Sequence, residues 1–546
     1  MNGADAIVRC LELEGVEILF GYQGAAIAPF YRALGESGHI RPVLVRTESS
    51  AAHCASGYAR IREKVGVCVV TSGPGATNLI TGIATAYADS IPLVCFTGQV
   101  QSDMIGSDVF QEADITGAVE SFVKYSYLVR DAADLPRICK EAFYIAASGR
   151  KGPVLIDVPS DVLEQEVRRF NYPEAVNMRT YKPTVEGNMV QIKKVVGELA
   201  KASRPIICVG GGVHLADAVP QIRAFVRDNQ VPVVSTMMGI GVMPSEDPMY
   251  FGMVGNNGRV YANRALNESD LLLMVGARVA DRAVNRPDLI TEGKVLIHID
   301  VDPAEIGKNV GPTIPLVGDI RHIFEKINAY ETEADLIHAR KDWIATLTSY
   351  RERMTDRIPA IDEMQYTDPR RFIRRLSELL PEDAIYVADV GQNQIWSCTH
   401  YIVRNGRFLT SGGMGTMGYS IPAAIGAKMA APDRTVIAVM GDGAFQMSMM
   451  ELATMRQAGV PVKLVVMKNG TLGMVREYQH YHYHDVFDMV ELKGDPALSK
   501  IAEAYDMPFY HIETGDQIDA CLPLFLEKEE SALLQVDVDP NDLAKF

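Results

Sequence analysis

The chain has 546 residues, 47% hydrophobic and 22% charged, with a formal net charge of -16. At roughly 150 residues per domain this predicts about three or four domains, with ample material for several cores. The negative balance excludes a general nucleic-acid or anionic-membrane surface, and no apolar run reaches the ~18 residues needed to span a bilayer.

The N-terminal stretch "MNGADAIVRCLELEG" predicts a folded amphipathic helix, not a signal or transit peptide. Short apolar runs then alternate with helical patterns. "RPVLVRTE", "VGVCVVTSGPG", "IPLVCFTGQ" and "GPVLIDVPS" come first, before a polar stretch with two prolines at Arg168–Gly187. "RPIICVGGG", "VPVVST", "LLLMVGAR" and "KVLIHIDVD" follow, up to a charged helical stretch at Glu331–Pro369. "AIYVADVGQ", "TVIAVMGDG", "VKLVVMKNG" and "ALLQVDVDP" end the series. Continuous apolar runs predict strands covered on both faces, hence parallel sheets flanked by helices. The fold class is therefore α/β, with three doubly wound units over 1–165, 188–330 and 366–546. The 8 cysteines contain no C-x-x-C pair and several lie inside apolar strands, which predicts buried free thiols in a reducing cytoplasm.

In such sheets ligands bind beyond the carboxyl ends of the strands, and most glycine clusters fall there. "VIAVMGDG" puts Asp442 between Gly441 and Gly443, before a helix expected from about Phe445. Backbone N–H groups at that helix start suit a diphosphate, and the glycines let a ligand approach. Asn469 ends the next apolar run, with 25 residues between Gly443 and it. An Asp oxygen, an Asn amide oxygen and a nearby carbonyl suit Mg²⁺, which completes its octahedron with phosphate and water. The bland alternative is a tight turn with Asp as helix cap.

GDG with a distant Asn resembles the thiamine diphosphate signature. With "LTSGGMGTMGYSIPAAIGAK", "TSGPGATNLITGIATAYADSIPLVCFTGQ" and "FQEADITG", the chain resembles the catalytic subunit of acetohydroxyacid synthase (acetolactate synthase) over nearly its whole length. The resemblance implies the thiamine diphosphate-enzyme fold, with pyrimidine-binding, central flavin-type and diphosphate-binding domains in that order. It implies thiamine diphosphate and Mg²⁺, and FAD where the central pocket accepts it. Active sites of the family lie between subunits, so a homodimer or homotetramer is expected, and a regulatory small subunit is a further partner. No nucleic acid or membrane partner is expected.

Residue by residue, the resemblance makes Glu48 the carboxyl group that pairs with N1′ of the aminopyrimidine, held in an apolar place that would raise its pKa. In isolation Glu48 reads as a helix-start acid. Gly415 matches the carbonyl facing the 4′-amino group, and Met417 the wedge that bends the cofactor. Gly391, Gln392, Asn393, Gly441, Gly443, Ala444 and Met474 match other cofactor contacts. Asp442, Asn469 and the Thr471 carbonyl match the metal ligands. Gly24, Ala25, Phe110 and Gln111 resemble the wall around the reacting carbon, where Gln111 would bind a developing alkoxide or a substrate carboxylate. Gly210, Gly211, Arg278 and Asp300 match the flavin pocket. Arg278 would also hold the carboxylate of the second substrate, and Tyr478 stands where a Trp favours 2-oxobutyrate.

Departures from the family pattern cluster around the acceptor side, with others at the flavin pocket and the diphosphate end. Gln23, Ala25, Thr47, Ser49, Ser160, Asn256, Asn257, Asn393, Ala444 and Lys468 all differ from the usual residue. His480, His482 and His484 alternate, so in a strand they would share a face as a metal candidate; by resemblance the stretch is a mobile loop over the site. The sequence stops at "DPNDLAKF", where family members run on into a proline-rich closing tail. A more open site, or closure by another segment, is expected. The preferred function is decarboxylation of pyruvate and carboligation to a second 2-oxo acid, giving 2-acetolactate. Two alternatives stay open: the same donor chemistry with a different carbonyl acceptor, and a non-catalytic cofactor-binding paralogue.

Overall fold

The computed structural model describes residues 1–284, 290–311, 313–330, 334–355 and 365–544. Parts of the charged stretch expected at 331–369, and the last two residues of the third unit, lie outside them. Asn2 starts the chain's first helix, Gly3–Leu13, through a reciprocal capping box with Asp5.

Among the described residues, eighteen strands form three six-stranded sheets, and every strand pairing is parallel. The first contains β1 (Ile18–Tyr22), β2 (Arg41–Leu44), β3 (Gly66–Val70), β4 (Leu93–Gln99), β5 (Tyr125–Leu128) and β6 (Val154–Pro159), ordered β2-β1-β3-β4-β6-β5. The second contains β7 (Pro205–Val209), β8 (Val233–Ser235), β9 (Tyr250–Met253), β10 (Leu271–Val275), β11 (Val295–Asp300) and β12 (Ile314–Val317), ordered β12-β11-β10-β7-β8-β9. That is the 3-2-1-4-5-6 order of dinucleotide-binding folds read from the other edge. The third contains β13 (Ile385–Ala388), β14 (Arg407–Leu409), β15 (Val436–Gly441), β16 (Lys463–Lys468), β17 (Phe509–Ile512) and β18 (Ala532–Asp537). Its order, β14-β13-β15-β16-β18-β17, repeats that of the first sheet. No described helix is long and apolar enough to cross a membrane.

The first and third sheets share one core. The helix Glu48–Arg62 lies against the helix Ser420–Ala430, and Tyr58, Cys68 and Leu93 join Tyr419, Val436 and Leu464 in one apolar cluster. Glycine makes this approach possible. A Cβ on Gly57 would strike the Ala423 carbonyl, and one on Gly426 the Cys54 carbonyl. Such overpacking typically costs ~1–3 kcal/mol.

The segments between sheets are fastened down. Lys124 donates to the Ser148 carbonyl (2.7 Å) and to the Tyr181 hydroxyl (2.7 Å), tying 168–187 to the first unit. The helix Ala334–Arg353 lies on the central sheet: buried Arg340 donates to the carbonyls of Asn229 and Leu199, both at 2.6 Å, and Trp343 and Leu347 enter the core. The central core therefore continues past residue 330.

Candidate active site

Strands β15 and β16 are neighbours, with Gly441 opposite Met467. The helix after β15 begins at Asp442 itself, earlier than the expected Phe445, because Gly441 stays extended and serves as the cap. Asp442 is buried. One carboxylate oxygen accepts from the Gly443 N–H (3.0 Å), the other from the Asn469 N–H (3.2 Å) and the Gly470 N–H (2.7 Å). The two strand ends are thus stitched together through one carboxylate. Burial pushes Asp442 up to about 6, against the pull of those N–H groups.

The surrounding residues fit a cation and a diphosphate. Among the described residues, Asn469 Oδ1 accepts the Thr471 N–H (3.0 Å), leaving a lone pair for a metal. A Cβ on Gly441 or Gly470 would meet nothing within 4 Å, so both face open space. Asn393 is buried with neither amide atom partnered, and the Thr471 hydroxyl is likewise orphaned. Buried polar groups without partners are costly, and phosphate or bound water supplies what they lack. Gly391 (φ 130°) opens the helix Gln392–His400 there, and buried Ala444 lies in the first turn after Asp442.

Sequence reasoning passed over Asp389. Its fully buried carboxylate accepts from the N–H groups of Val390 (2.8 Å), Gly418 (3.0 Å) and Ser420 (2.8 Å). It pins the loop carrying Gly415 (φ 70°) and Met417. Met417 reaches the GDG turn: its Cε would sit 3.4 Å from a Cβ on Gly443. An acid closing a fully apolar strand in "YVADVG" was the available signal.

At the first sheet, Glu48 opens the helix Glu48–Arg62, and Asn78 Nδ2 donates to its carboxylate (3.1 Å). Gly75 lies beside Glu48, Gly24 packs on Thr71, and Gly73 on Gln111. Gly24, Glu48 and Gln111 therefore gather at the strand ends, together with Thr71 and Asn78, which the sequence reading did not single out. Ala25 starts the short helical turn Ala25–Ile27 next to Gly24. Gln111 has φ 61°, a left-handed conformation that costs a non-glycine residue energy and is concentrated at functional sites. Behind this loop, buried Asp157 accepts from Thr97 (2.6 Å) and Gln99 (3.0 Å), while Gln99 also holds the Ala113 carbonyl (2.8 Å). Burial pushes Asp157 up to about 7. Two expected features are not seen within one chain. Phe110 is 87% exposed and walls nothing within one chain. Glu48 is partly exposed beside solvent-facing Asn78.

A cavity of about 760 Å³ opens at the central sheet. Gly211, Arg278 and Asp300 line it, and so do Gly415 and Met474 of the third unit. The flavin candidates therefore meet two thiamine diphosphate candidates. Gly210 sits behind the wall, where a Cβ would strike the Gly276 carbonyl. Arg278 donates to the Ala88 carbonyl (2.8 Å). Burial pushes Asp300 up to about 6. Asn257 lines the cavity, but Asn256 and Ser160 do not, so two of the flavin-side departures lie off its wall.

One grouping does not form. Glu48 stands by Gly75, near the start of the helix Pro74–Ala88, whereas Gly413 packs on Ala88 at its end and Thr416 bonds Thr85 (2.7 Å). At 1.5 Å per residue, that helix sets Glu48 and the Gly415 loop ~15–20 Å apart. The histidines do not group either. Gly473–Tyr483 is a helix, so alternate positions point ~200° apart instead of sharing a face. His480 bonds Asp485 (2.6 Å), His482 stacks on half-exposed Tyr478 at 4.0 Å, and His484 ends the helix at φ 51°.

Three family models match in chain order. They are the N-terminal TPP binding domain of thiamine pyrophosphate enzymes over residues 1–118, the central domain over 192–327, and the C-terminal TPP binding domain over 389–536. The acetolactate synthase large subunit of Lactococcus lactis subsp. lactis (strain IL1403) is 40% identical, the alignment covering 99% of this chain and 93% of that protein. A probable acetolactate synthase large subunit of Methanococcus aeolicus is 41% identical over 99% and 92% of the two chains. The acetolactate synthase of Arthrospira platensis is 41% identical over 99% and 95%. The chain belongs to the acetolactate synthase large-subunit family. The C-terminal match of this family member begins at Asp389 and contains Asp442, Asn469 and Thr471, and the N-terminal match contains Glu48 and Gln111.

Proposed function

We propose that the chain is an enzyme that decarboxylates pyruvate with thiamine diphosphate and Mg²⁺ and joins the two-carbon unit to a second 2-oxo acid, giving 2-acetolactate when that acid is pyruvate. The observation that carries this reading is the Asp442 carboxylate stitched to the Asn469 strand end beside the unpartnered, buried Asn393. Family membership supports the same chemistry. Residues 1–165, 188–330 and 366–546 act as the pyrimidine-binding, central and diphosphate-binding units.

When bound, thiamine diphosphate supplies a nucleophilic carbon and an electron sink for decarboxylation. The chain's residues bind and orient it. Asp442, the Asn469 amide oxygen and the Thr471 carbonyl hold Mg²⁺ against the diphosphate, with Gly441, Gly443, Ala444, Gly391 and Asn393 around it. The Gly415 carbonyl would accept from the 4′-amino group, and Met417 would pack against the cofactor. Glu48 holds and returns a proton at N1′ of the pyrimidine ring. Gly24, Ala25, Phe110 and Gln111 enclose the reacting end and exclude water.

Because Glu48 and Gly415 stand apart within one chain, Glu48 of one copy completes the Gly415 side of another. Exposed Phe110 then gains cover, and a homodimer is the smallest working unit. A small regulatory subunit is the partner suggested by the relatives' name, large subunit. The free cysteines, all buried except half-buried Cys521, favour a reducing cytoplasm.

The cavity's volume, the strand order of the central sheet and its wall of Gly211, Arg278 and Asp300 fit FAD in a non-redox role. Added FAD should form a 1:1 complex with quenched fluorescence; flavin that stays free in solution would remove it from the account.

Acceptor choice tests the function itself. A methylene in a well-formed pocket is worth ~1–3 kcal/mol, or roughly 10- to 200-fold. Tyr478, 53% exposed and stacked on His482, packs that methylene poorly, while Arg278 retains the acceptor carboxylate. With equal pyruvate and 2-oxobutyrate, the two products should differ by less than about tenfold. A strong excess of acetohydroxybutyrate would refute the Tyr478 argument, and no product from either acid would point to another carbonyl acceptor.

A further inference from the structure

The Gln392 side chain has its own partners inside the protein. Its Nε2 donates to Glu477 Oε2 (2.9 Å) and to the Asp542 carbonyl (2.8 Å), and its Oε1 accepts from Asn469 Nδ2 (3.4 Å). Glu477 is 5% exposed, and the same Oε2 accepts the Ala544 N–H (2.8 Å). The surroundings hold this arrangement in place. A Cβ on Gly473 would strike Gln392 Oε1, so glycine is required where the helix Gly473–Tyr483 begins. Arg370 grips Asp542 through both carboxylate oxygens (3.2 and 2.8 Å), and Arg476 donates to Asn541 (2.8 Å).

We infer that Glu477 and Gln392 are positioning residues for Asn469, coupling the helix Gly473–Tyr483 and the segment 539–544 to the candidate metal site. This rests on Asp442 and Asn469 being metal ligands. With Nδ2 turned to Gln392, Asn469 directs Oδ1 the other way, where it accepts the Thr471 N–H and keeps a lone pair for the metal. Glu477 and the Asp542 carbonyl each accept from Gln392 Nε2, so the Gln392 carbonyl, not its amide, faces Asn469. Outer groups of this kind orient metal ligands, and their loss typically costs ~10–100-fold in metal affinity. The helix that carries Met474 and Tyr478 is thereby tied to metal occupancy. In this role Gln392 acts through Asn469.

The test uses the full chain with saturating thiamine diphosphate, titrated with Mn²⁺ and followed by the electron paramagnetic resonance of free Mn²⁺. Glu477→Ala should raise the Mn²⁺ dissociation constant ~10–100-fold. Glu477→Gln should restore most of it, since a single oxygen accepts both donors. Gln392→Ala should match Glu477→Ala, and the double variant should be no weaker than either, because the two residues act on one path. If Glu477→Ala does not fold, Gln392→Ala carries the measurement. Wild-type Mn²⁺ affinity in the Ala variants, or a loss that Gln does not rescue, would overturn the inference. Asp442→Ala in the same titration separates the two claims: unchanged affinity there would overturn the metal-site reading itself.

Discussion

Asp442→Ala should lose turnover and cofactor retention together. The carboxylate makes three backbone hydrogen bonds across two strand ends and is the one charged group proposed to touch the cation. Metal-held charge stabilisation is worth several kcal/mol, so a fall of ~10³-fold or more in kcat/KM is expected. Alanine also leaves the Asn469 and Gly470 N–H groups without their acceptor, each costing ~1–3 kcal/mol if it stays buried. Gel-filtered Asp442→Ala should therefore carry no thiamine diphosphate, while the wild type keeps it when Mg²⁺ is present. Full turnover of the variant, or of the wild type after exhaustive chelation and cofactor removal, would contradict the metal assignment.

Glu48→Gln should separate binding from proton transfer. The side chain lies at a helix start, outside the Asp442 site, and accepts from Asn78. An amide keeps the shape and can still bond Asn78, but it cannot exchange a proton with N1′. Hydrogen–deuterium exchange at the cofactor's C2, followed by NMR, should slow ~10²–10⁴-fold, with thiamine diphosphate affinity nearly unchanged. An unaltered exchange rate would return Glu48 to the role of a helix-start acid.

Apart from β2, an edge strand that is mostly exposed, the strands legible in the sequence were internal ones in continuous apolar runs. All twelve apolar runs read from it became strands, from β2 through β18. Of the six that were not read, β5, β9, β12, β14 and β17 are edges of their sheets. They run only three or four residues, and β5, β12 and β17 are only partly buried. A short strand with one open edge need not be continuously apolar. The sixth, β1, is internal but contains Gly21, whose missing side chain admits the Tyr31 hydroxyl and breaks the apolar pattern.

The candidate ligands were legible because small residues at strand ends leave a mark in sequence. Asp389, Glu477 and Asn78 were not, because each acts through contacts whose partners lie elsewhere in the chain. Asp389 reaches Ser420 31 residues away, and Glu477 reaches Gln392 85 residues away. The histidine alternation, only a minor metal candidate, gives no shared face for a local reason. The segment has helical periodicity, which separates residues that a strand would align.

Incubating the purified full chain with pyruvate, thiamine diphosphate and Mg²⁺, and identifying the products by mass, tests the central claim most directly. The account predicts 2-acetolactate and CO₂ in equal amounts from two molecules of pyruvate, dependent on both cofactors. CO₂ release without acetolactate would contradict carboligation to a 2-oxo acid, and unconsumed pyruvate would mark a protein that binds the cofactor without turning it over.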